Sequence, residues 1–525
     1  MNHAHTFGEL ITELKKRQSK DLCCVIEKEE SHYGKILFEV EGLSSYLQSL
    51  GIQKGDRVAI WVPNRVEWVI ALLATGQIGA ILVPINCRFK ASEAKYVLKH
   101  SESKVLITQS TFLTNQYEEM VMSWHSGGHD HFTSEELPNL KHLIWIGETK
   151  PKQAISWEEA VACNLGNHEV VCKPDDPVLI QYTSGTTSFP KGALLTHYGI
   201  LRNAIDVGVR MHIKPKDKVF CAGPFFHIGG VTMQVILSLL YNVPFYSLSH
   251  FTPRKALDMV KKYKCTTYSG IDSLFLLVME LEEFQREDFA SVRTGWTTGT
   301  LETVKLIREK MGIKDILLVF GLSEASPNVA ICDISDPEEK KLASCGRAHP
   351  SCEIAIIDPL TNEFLPPGNK GEIVTKGYNV MSEYFKNEIE TEKTFFQSWL
   401  RTGDLGSLDE DGFLYFHGRI KEIIRVGGEN FSPEEVEGIL YEHPLIEQVA
   451  LLGIPNENYG EIPVAVIRQK AKASFELEEL QTYLKGRIAG YKIPKKLVIV
   501  NEFPMTESGK IKKNQLKEQL FSIKI

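Results

Sequence analysis

The chain lacks the features that mark several protein classes. Its ten cysteines are scattered, with no Cys-x-x-Cys pair and no ladder of spacings, which gives neither a zinc ribbon nor a secreted disulfide framework and predicts reduced thiols in a cytoplasmic protein. There is no excess of positive charge. Lys plus Arg number 59 against 67 Asp plus Glu, a formal net charge of -8, so nothing global favours a nucleic-acid or anionic-membrane partner. The stretch MNHAHTFGELITELKKRQSK has no hydrophobic centre and soon turns charged, which argues against a signal peptide or anchor. No clean membrane span is present either. Trp68 to Ile85 carries Gln77 and Gly79 and reads as a buried helix followed by β-rich AILVPI, while Val231 to Leu248 is broken by Asn242 and Pro244. No repeat of about 20 to 50 residues recurs, which excludes a solenoid.

What the chain does have is apolar material. Of 525 residues, 43% are hydrophobic, enough for sizeable cores without disulfides or a metal staple. At roughly 100 to 200 residues per domain, the length suggests about three or four units. Short β-branched runs alternate with helical patterns: RVAIWV (57–62), AILVPI (80–85), KVLITQ (104–109), HLIWIG (142–147) and KDILLVF (314–320). That alternation predicts an α/β fold with largely parallel sheets. HSGGHDHFTSEELP (125–138) reads as a solvated loop, with metal binding by His125, His129 and His131 as the alternative. The texture changes near residue 420. Ser432, Pro433 and Glu435 supply an N-cap, a first-turn proline and a capping-box acid before Val436, Ile439 and Leu440, which predicts a helix start. Strand-like VALLG (449–453) and PVAVIR (463–468) and a helix around Leu477 to Ala489 complete the pattern of a small α+β domain.

The segment richest in chemistry is YTSGTTSFPKG, Tyr182 to Gly192, which follows apolar VLIQ. Small and hydroxylated residues let a backbone approach an anion and donate N–H and O–H bonds to phosphate oxygens, with Lys191 beside them as a mobile cation. It is not a Walker A loop, because Lys191 stands between Pro190 and Gly192 rather than before Ser or Thr. A flexible Ser/Thr-rich turn would explain the small residues but not their coincidence with a Pro-Lys-Gly exit.

YTSGTTSFPKGALLTH resembles the phosphate-loop signature of the adenylate-forming superfamily, which comprises acyl-CoA synthetases, luciferases and peptide-synthetase adenylation domains. PFFHIGG (224–230), FGLSEAS (320–326), GEIVTKGYNVM (371–381), LRTGDLGSLDEDGFLYFHGRIKEIIRVGGENFSPEEVE (400–437) and PMTESGKIKK (504–513) match in the family's order. Within the family the pattern looks most like bacterial medium- or long-chain fatty-acyl-CoA synthetases. The resemblance implies a large AMP-binding body, residues 1–419, of several packed α/β subdomains, and a small mobile α+β domain, residues 420–525, hinged near Lys421. It also implies ATP, Mg2+ and CoA, and ligation of a carboxylic acid to CoA through an acyl-adenylate.

By the same resemblance, Thr183, Ser184, Gly185, Thr186, Thr187 and Lys191 hold nucleotide phosphates, Ser323 faces phosphate, and Phe320 stacks on adenine beside Gly321. Glu324, a carboxylate suited to Mg2+, and Thr186 are the metal contacts. Asp404 is an acceptor-only group matched to two ribose hydroxyls, and Arg419 is a fixed fork for ribose or phosphate oxygens. The TGD and HGR matches make them the ribose pair. Lys510 enters for adenylation and bridges the carboxylate and the α-phosphate, where a cation stabilises developing charge. Lys512 and Lys513 beside it read as solubility features. His227 is either a satisfied core histidine or, by resemblance, the residue that places the substrate carboxylate. Gly427, Gly428 and Glu429 border a CoA tunnel. No aspartate follows Phe226, which disfavours an α-amino acid, and the apolar run after His227 together with Trp296 suggests a greasy acyl pocket.

Three other functions stay open: loading a carrier protein's phosphopantetheine arm, ligating an aryl acid, or binding nucleotide or acyl ligand without catalysis. A homodimer is also left open. Ser188, Phe320, Glu383 and the Gly295 to Thr300 turn depart from the family's pattern. A non-glycine in a left-handed backbone at 188 would cost on the order of 1 to 2 kcal/mol. Ser188→Gly is therefore expected to keep or raise carboxylate-dependent pyrophosphate release, and a fall of about tenfold, equivalent to roughly 1.4 kcal/mol of lost transition-state stabilisation, would refute this.

Overall fold

The computed structural model describes residues 4–128, 130–163, 170–183, 190–422, 424–426, 429–431, 433–456, 460–470, 476–485, 487–488, 490–505 and 511–522. The chain divides into two compact units, Met1–Ile354 with Thr375–Leu400, and Ala355–Val374 with Arg401–Ile525.

The first unit is built on two large sheets. Among the described residues one has seven strands, in the order Lys191–Thr196, Pro177–Thr183, Ile81–Pro84, Arg57–Trp61, Val105–Gln109, His142–Ile146 and Ala154–Ser156. Its pairings are parallel except that of Pro177–Thr183 with Lys191–Thr196. In the other, of nine strands, Val219–Cys221, Thr267–Ile271, Thr294–Thr298 and Asp315–Gly321 run parallel side by side, with antiparallel pairs towards the edges. All five runs read from the sequence are strands, and the α/β expectation holds. Val58 to Trp61 and Val105 to Ile107 are fully buried, as in parallel strands covered on both faces, where alternation gives way to continuous apolar runs.

The helix Val66–Gln77 is buried from Trp68 to Gly76, so it can be apolar all round. The strand Ile81–Pro84 follows it, as the sequence predicts. The second apolar stretch becomes the buried helical segments Val231–Ile236 and Leu237–Tyr241, ended by Asn242 in the left-handed region, then the strand Phe245–Ser247. Among the described residues no helix is long and apolar enough to cross a membrane. The 125–138 segment is less solvated than expected. Phe132 and Leu137 enter the core with Trp124, and His125 stacks on Phe132 at 5.7 Å between ring centroids. His129 lies outside the described residues.

The second unit holds the strands Ile446–Asn456, Gly460–Gln469 and Lys496–Ile499 and the helices Pro433–Tyr441, Leu477–Leu484 and Lys513–Ser522. The helix starting at Pro433 matches its sequence signal, although Ser432 lies outside the described residues. The helix expected to reach Ala489 stops at Leu484, where Lys485 turns extended with φ -61° and ψ 125°; Leu480 and Leu484 enter the core from the helix, and Ile488 packs against it from beyond the helix end.

Lys513 overturns its reading as a solubility residue. Only 17% of its side chain is exposed, and Nζ lies 2.8 Å from Glu437, 3.4 Å from Glu422 and 4.0 Å from Glu434. Burial raises the Glu437 carboxyl above its usual range. Burial opposes the charge on Lys513, but the three acids outweigh it and raise the ammonium's pKa. Glu437 also accepts from the Leu451 N–H at 2.6 Å, so the pair ties the last helix to another helix and to a core strand. Breaking a buried pair leaves an uncompensated charge. Lys513→Met is expected to cost about 3 to 5 kcal/mol, read as a lower denaturant midpoint; a loss below about 1 kcal/mol would place the pair among solvent-screened ones.

Candidate active site

Two strands flank the candidate phosphate loop. Pro177–Thr183 and Lys191–Thr196 pair antiparallel with Thr183 opposite Lys191, so one rung holds both ends of the loop. Ser184, Gly185, Thr186, Thr187 and Ser188 lie outside the described residues. Their frame is well tied: the Tyr182 hydroxyl is 2.8 Å from His100 Nδ1, and the Tyr96 hydroxyl donates to the Pro190 carbonyl at 3.2 Å. Lys191 is ion-paired with Glu390, and its Nζ lies 5.2 Å from the Tyr384 ring centroid.

The strand Asp315–Gly321 delivers Phe320, which is buried, and Gly321, where a Cβ would come within 2.2 Å of the Pro327 carbonyl. The short turn Ser323–Ala325 then presents Glu324. Glu324 Oε1 accepts from the Tyr384 hydroxyl at 2.7 Å, and its backbone carbonyl accepts from Met381 N–H at 2.7 Å. Burial, then the neighbouring Glu324, raises the Tyr384 phenol, which keeps it a donor. A carboxylate offers about four lone-pair sites, so one tyrosine bond leaves room for a hard cation. One carboxylate plus substrate phosphates and waters is a usual Mg2+ environment, and Glu324 fits it.

Beneath this segment lies a buried polar network with no motif in the sequence. Asn328 Nδ2 donates to the Phe320 and Ala330 carbonyls at 3.2 and 3.1 Å, and its Oδ1 accepts from His349 Nε2 at 2.7 Å. Asn203 and Asn379 donate to the Asn328 carbonyl at 2.8 and 3.1 Å. The PFFHIGG segment is similarly clamped. Asn64 accepts from Phe225 N–H at 2.7 Å and donates to the Gly223 carbonyl at 3.0 Å, while Gln181 Nε2 donates to the Phe226 carbonyl at 3.1 Å. Gln181 sits on the strand that enters the phosphate loop, so His227, which precedes the helical turn Ile228–Gly230, is tied to that strand. Trp296 is buried on the strand Thr294–Thr298. Glu383 is exposed, does not take a positive φ, and its carbonyl accepts from Leu194 N–H at 2.9 Å, so this departure needs no glycine.

In the second unit, Asp404 and Arg419 face each other as registered partners across the hairpin Trp399–Leu408 and Leu414–Arg419. Arg419 Nε is 3.3 Å from Asp404 Oδ1, with the aspartate buried and the arginine 58% exposed. The TGD segment of the strand Trp399–Leu408 depends on Glu372, a buried acid with no separate signal in the sequence. It accepts from Gly403 N–H at 3.1 Å and from Arg401 Nε at 2.9 Å. Gly403 itself has φ +72°, a conformation that favours glycine. Lys421 falls in the single turn Ile420–Glu422 and Glu429 in the strand Glu429–Phe431; Gly427, Gly428 and Lys510 lie outside the described residues.

Residues 13–385 match the AMP-binding enzyme family and residues 435–510 match the AMP-binding enzyme C-terminal domain. The chain belongs to the AMP-binding enzyme family, as the resemblance implied. It is 36% identical to the YngI protein of Bacillus subtilis over 90% of this chain and 89% of that one. It is 33% identical to the mitochondrial medium-chain acyl-CoA ligase ACSF2 of Rattus norvegicus over 98% of this chain and 87% of that one. Among solved structures, o-succinylbenzoate CoA synthetase (MenE) of Bacillus subtilis, in complex with its acyl-adenylate intermediate OSB-AMP, matches with a TM-score of 0.81 over 97% of each chain at 27% identity.

Two imidazoles in the first unit carry a pH signature. Burial, reinforced by Arg210 and Arg202, lowers His349 to about 3, and burial lowers His197 to about 4. His197 Nδ1 accepts from Phe7 N–H at 3.2 Å, which requires an unprotonated nitrogen. A lowered folded pKa means that the unfolded chain binds the proton first. The stability from each neutral imidazole is complete above about pH 6.5 and is lost as pH falls towards the folded value, by at most about 1.4 kcal/mol per pH unit. The denaturant midpoint is expected to fall between pH 7 and pH 5, with a shallower slope in His349→Gln; an unchanged slope would exclude a neutral buried His349.

Proposed function

We propose that this enzyme is an AMP-forming carboxylic acid:CoA ligase that acts in the cytoplasm on a medium- or long-chain fatty acid. The observation that carries this reading is relatedness over 98% of the chain to a protein named medium-chain acyl-CoA ligase, which favours the medium-chain end. A carboxylate oxygen of the acid attacks the α-phosphorus of ATP, the bond to pyrophosphate breaks, and a mixed anhydride, the acyl-adenylate, forms. The CoA sulfur then attacks the acyl carbon, AMP departs with the bonding pair, and the thiol proton passes to solvent.

In this reading Thr183, Ser184, Gly185, Thr186, Thr187, Ser323 and Lys191 hold the phosphates, while Phe320 and Gly321 frame adenine. Asp404 and Arg419 trade their mutual contact for ribose hydroxyls and neighbouring oxygens. Lys510 stands between carboxylate and α-phosphate, where a preorganised cation stabilises charge that develops in the transition state. His227 orients the carboxylate. Glu324 and Thr186 would hold Mg2+, which would supply neutralisation of triphosphate charge. Residues 1–419 form the AMP-binding body, and residues 420–525 turn about Lys421, withdrawing Lys510 and bringing Gly427, Gly428 and Glu429 to the thiol step.

The test is a panel of carboxylic acids scored by pyrophosphate release and by thioester product, with and without CoA. Medium-chain fatty acids are expected to give the highest kcat/KM and a CoA thioester, and Lys510→Ala to lose about 10²- to 10³-fold in pyrophosphate release. Preference for aryl acids, or transfer only to a holo carrier protein, would replace the reading. An undiminished Lys510→Ala enzyme would refute the role of that lysine.

A further inference from the structure

The phosphate-loop lysine is already occupied. Lys191 is ion-paired with Glu390, and only 19% and 26% of the two side chains are exposed. Lys393 Nζ reaches the other Glu390 oxygen at 2.9 Å. The acid is presented by a fixed element rather than by a loose one. It lies in the first turn of the helix Glu388–Thr394, whose N-cap Asn387 accepts from Glu390 N–H at 3.2 Å, and the next residue, Thr391, accepts from Tyr384 N–H at 3.0 Å. Tyr384 is the same residue whose ring lies beside the Lys191 ammonium and whose hydroxyl donates to Glu324. One short segment thus holds the lysine with a carboxylate and the metal-type carboxylate with a phenol. Hydrogen bonds from Lys191 and Lys393 hold the Glu390 carboxyl down at about 2, so it is anionic at neutral pH.

We propose that Glu390 is a resident counter-ion that competes with nucleotide phosphate for Lys191. This rests on the reading of Lys191 as a phosphate ligand. An ammonium has three donors and a single positive charge. A triphosphate that engages it must displace the carboxylate or share the cation with it, and in either case the two anions repel. Binding is then an exchange of one anion for another: affinity for ATP is lower than the lysine alone would give, and departing pyrophosphate is replaced at once by a partner that sits on the protein. Glu390 lies outside the segments that the family resemblance rests on, which is why the sequence reading passed over it.

The alternative is that Glu390 merely steadies Lys191, in which case neutralising it weakens nucleotide binding. Calorimetric titration of the full-length enzyme with ATP separates the two. Glu390→Gln is expected to tighten the Kd for ATP by about two- to fivefold, the size of a partly exposed ion pair, and to strengthen product inhibition by pyrophosphate. Glu390→Asp, which keeps the charge, is expected to stay close to the parent enzyme. An unchanged or weaker Kd in Glu390→Gln overturns the proposal. Lys191→Ala is measured beside them. If it leaves ATP affinity unchanged, the phosphate assignment of Lys191 fails and takes the proposal with it. If it weakens binding while Glu390→Gln fails to tighten it, the counter-ion alone is refuted.

Discussion

The rung that places Thr183 opposite Lys191 is the constraint on which the flanks of the candidate phosphate loop depend. A loop of small, hydroxylated residues gains nothing from its composition unless its ends are held, because ordering a backbone residue costs about 1 to 2 kcal/mol. Here the antiparallel strand pair holds the two ends. Among the described strands it is the one antiparallel pairing in an otherwise parallel sheet, and it sets Lys191 opposite Thr183. Gln181, on the same strand, fixes the carbonyl before His227, so the entry to the candidate phosphate loop and the backbone before the histidine share one support.

Charge management is the second theme. A site for a polyanion needs cations, and a folded chain tends to neutralise its own. Lys191 is met by Glu390, and Arg419 by Asp404. These contacts are partly exposed on at least one side. Lys513 with Glu437, and Glu372 with Arg401, are more deeply set. They hold elements in place, and the desolvation cost of separating such charges keeps them paired.

Much of this was legible beforehand because it is local. The five β-branched runs became strands, the proline-led start of the helix Pro433–Tyr441 held, and Trp68 to Ile85 became helix and strand. The nucleotide-facing candidates Phe320 and Glu324, and the partners Asp404 and Arg419, stood out through motif order. What stayed hidden was long-range. Asn64, Asn203, Asn328, His349 and Asn379 are single polar residues without flanking signal, and only packing reveals that each satisfies a particular buried carbonyl or amide. Lys513 looked like part of a basic tail because its three acidic partners lie far back in the chain. The helix from Leu477 ended early because the backbone turns extended at Lys485, and Ile488 reaches the same core from outside the helix.

The amino-acid order by itself determined the alternation of strands and helices and gave the family motifs their order along the chain. Those follow from periodicity, turn chemistry and short-range spacing, which act between neighbours. Only the tertiary structure decided which charges meet. An ion pair depends on a separation of a few ångströms between residues that can be far apart in sequence, so neither the pairing of Lys191 with Glu390 nor the engagement of Glu324 by Tyr384 could be read before the fold had brought them together.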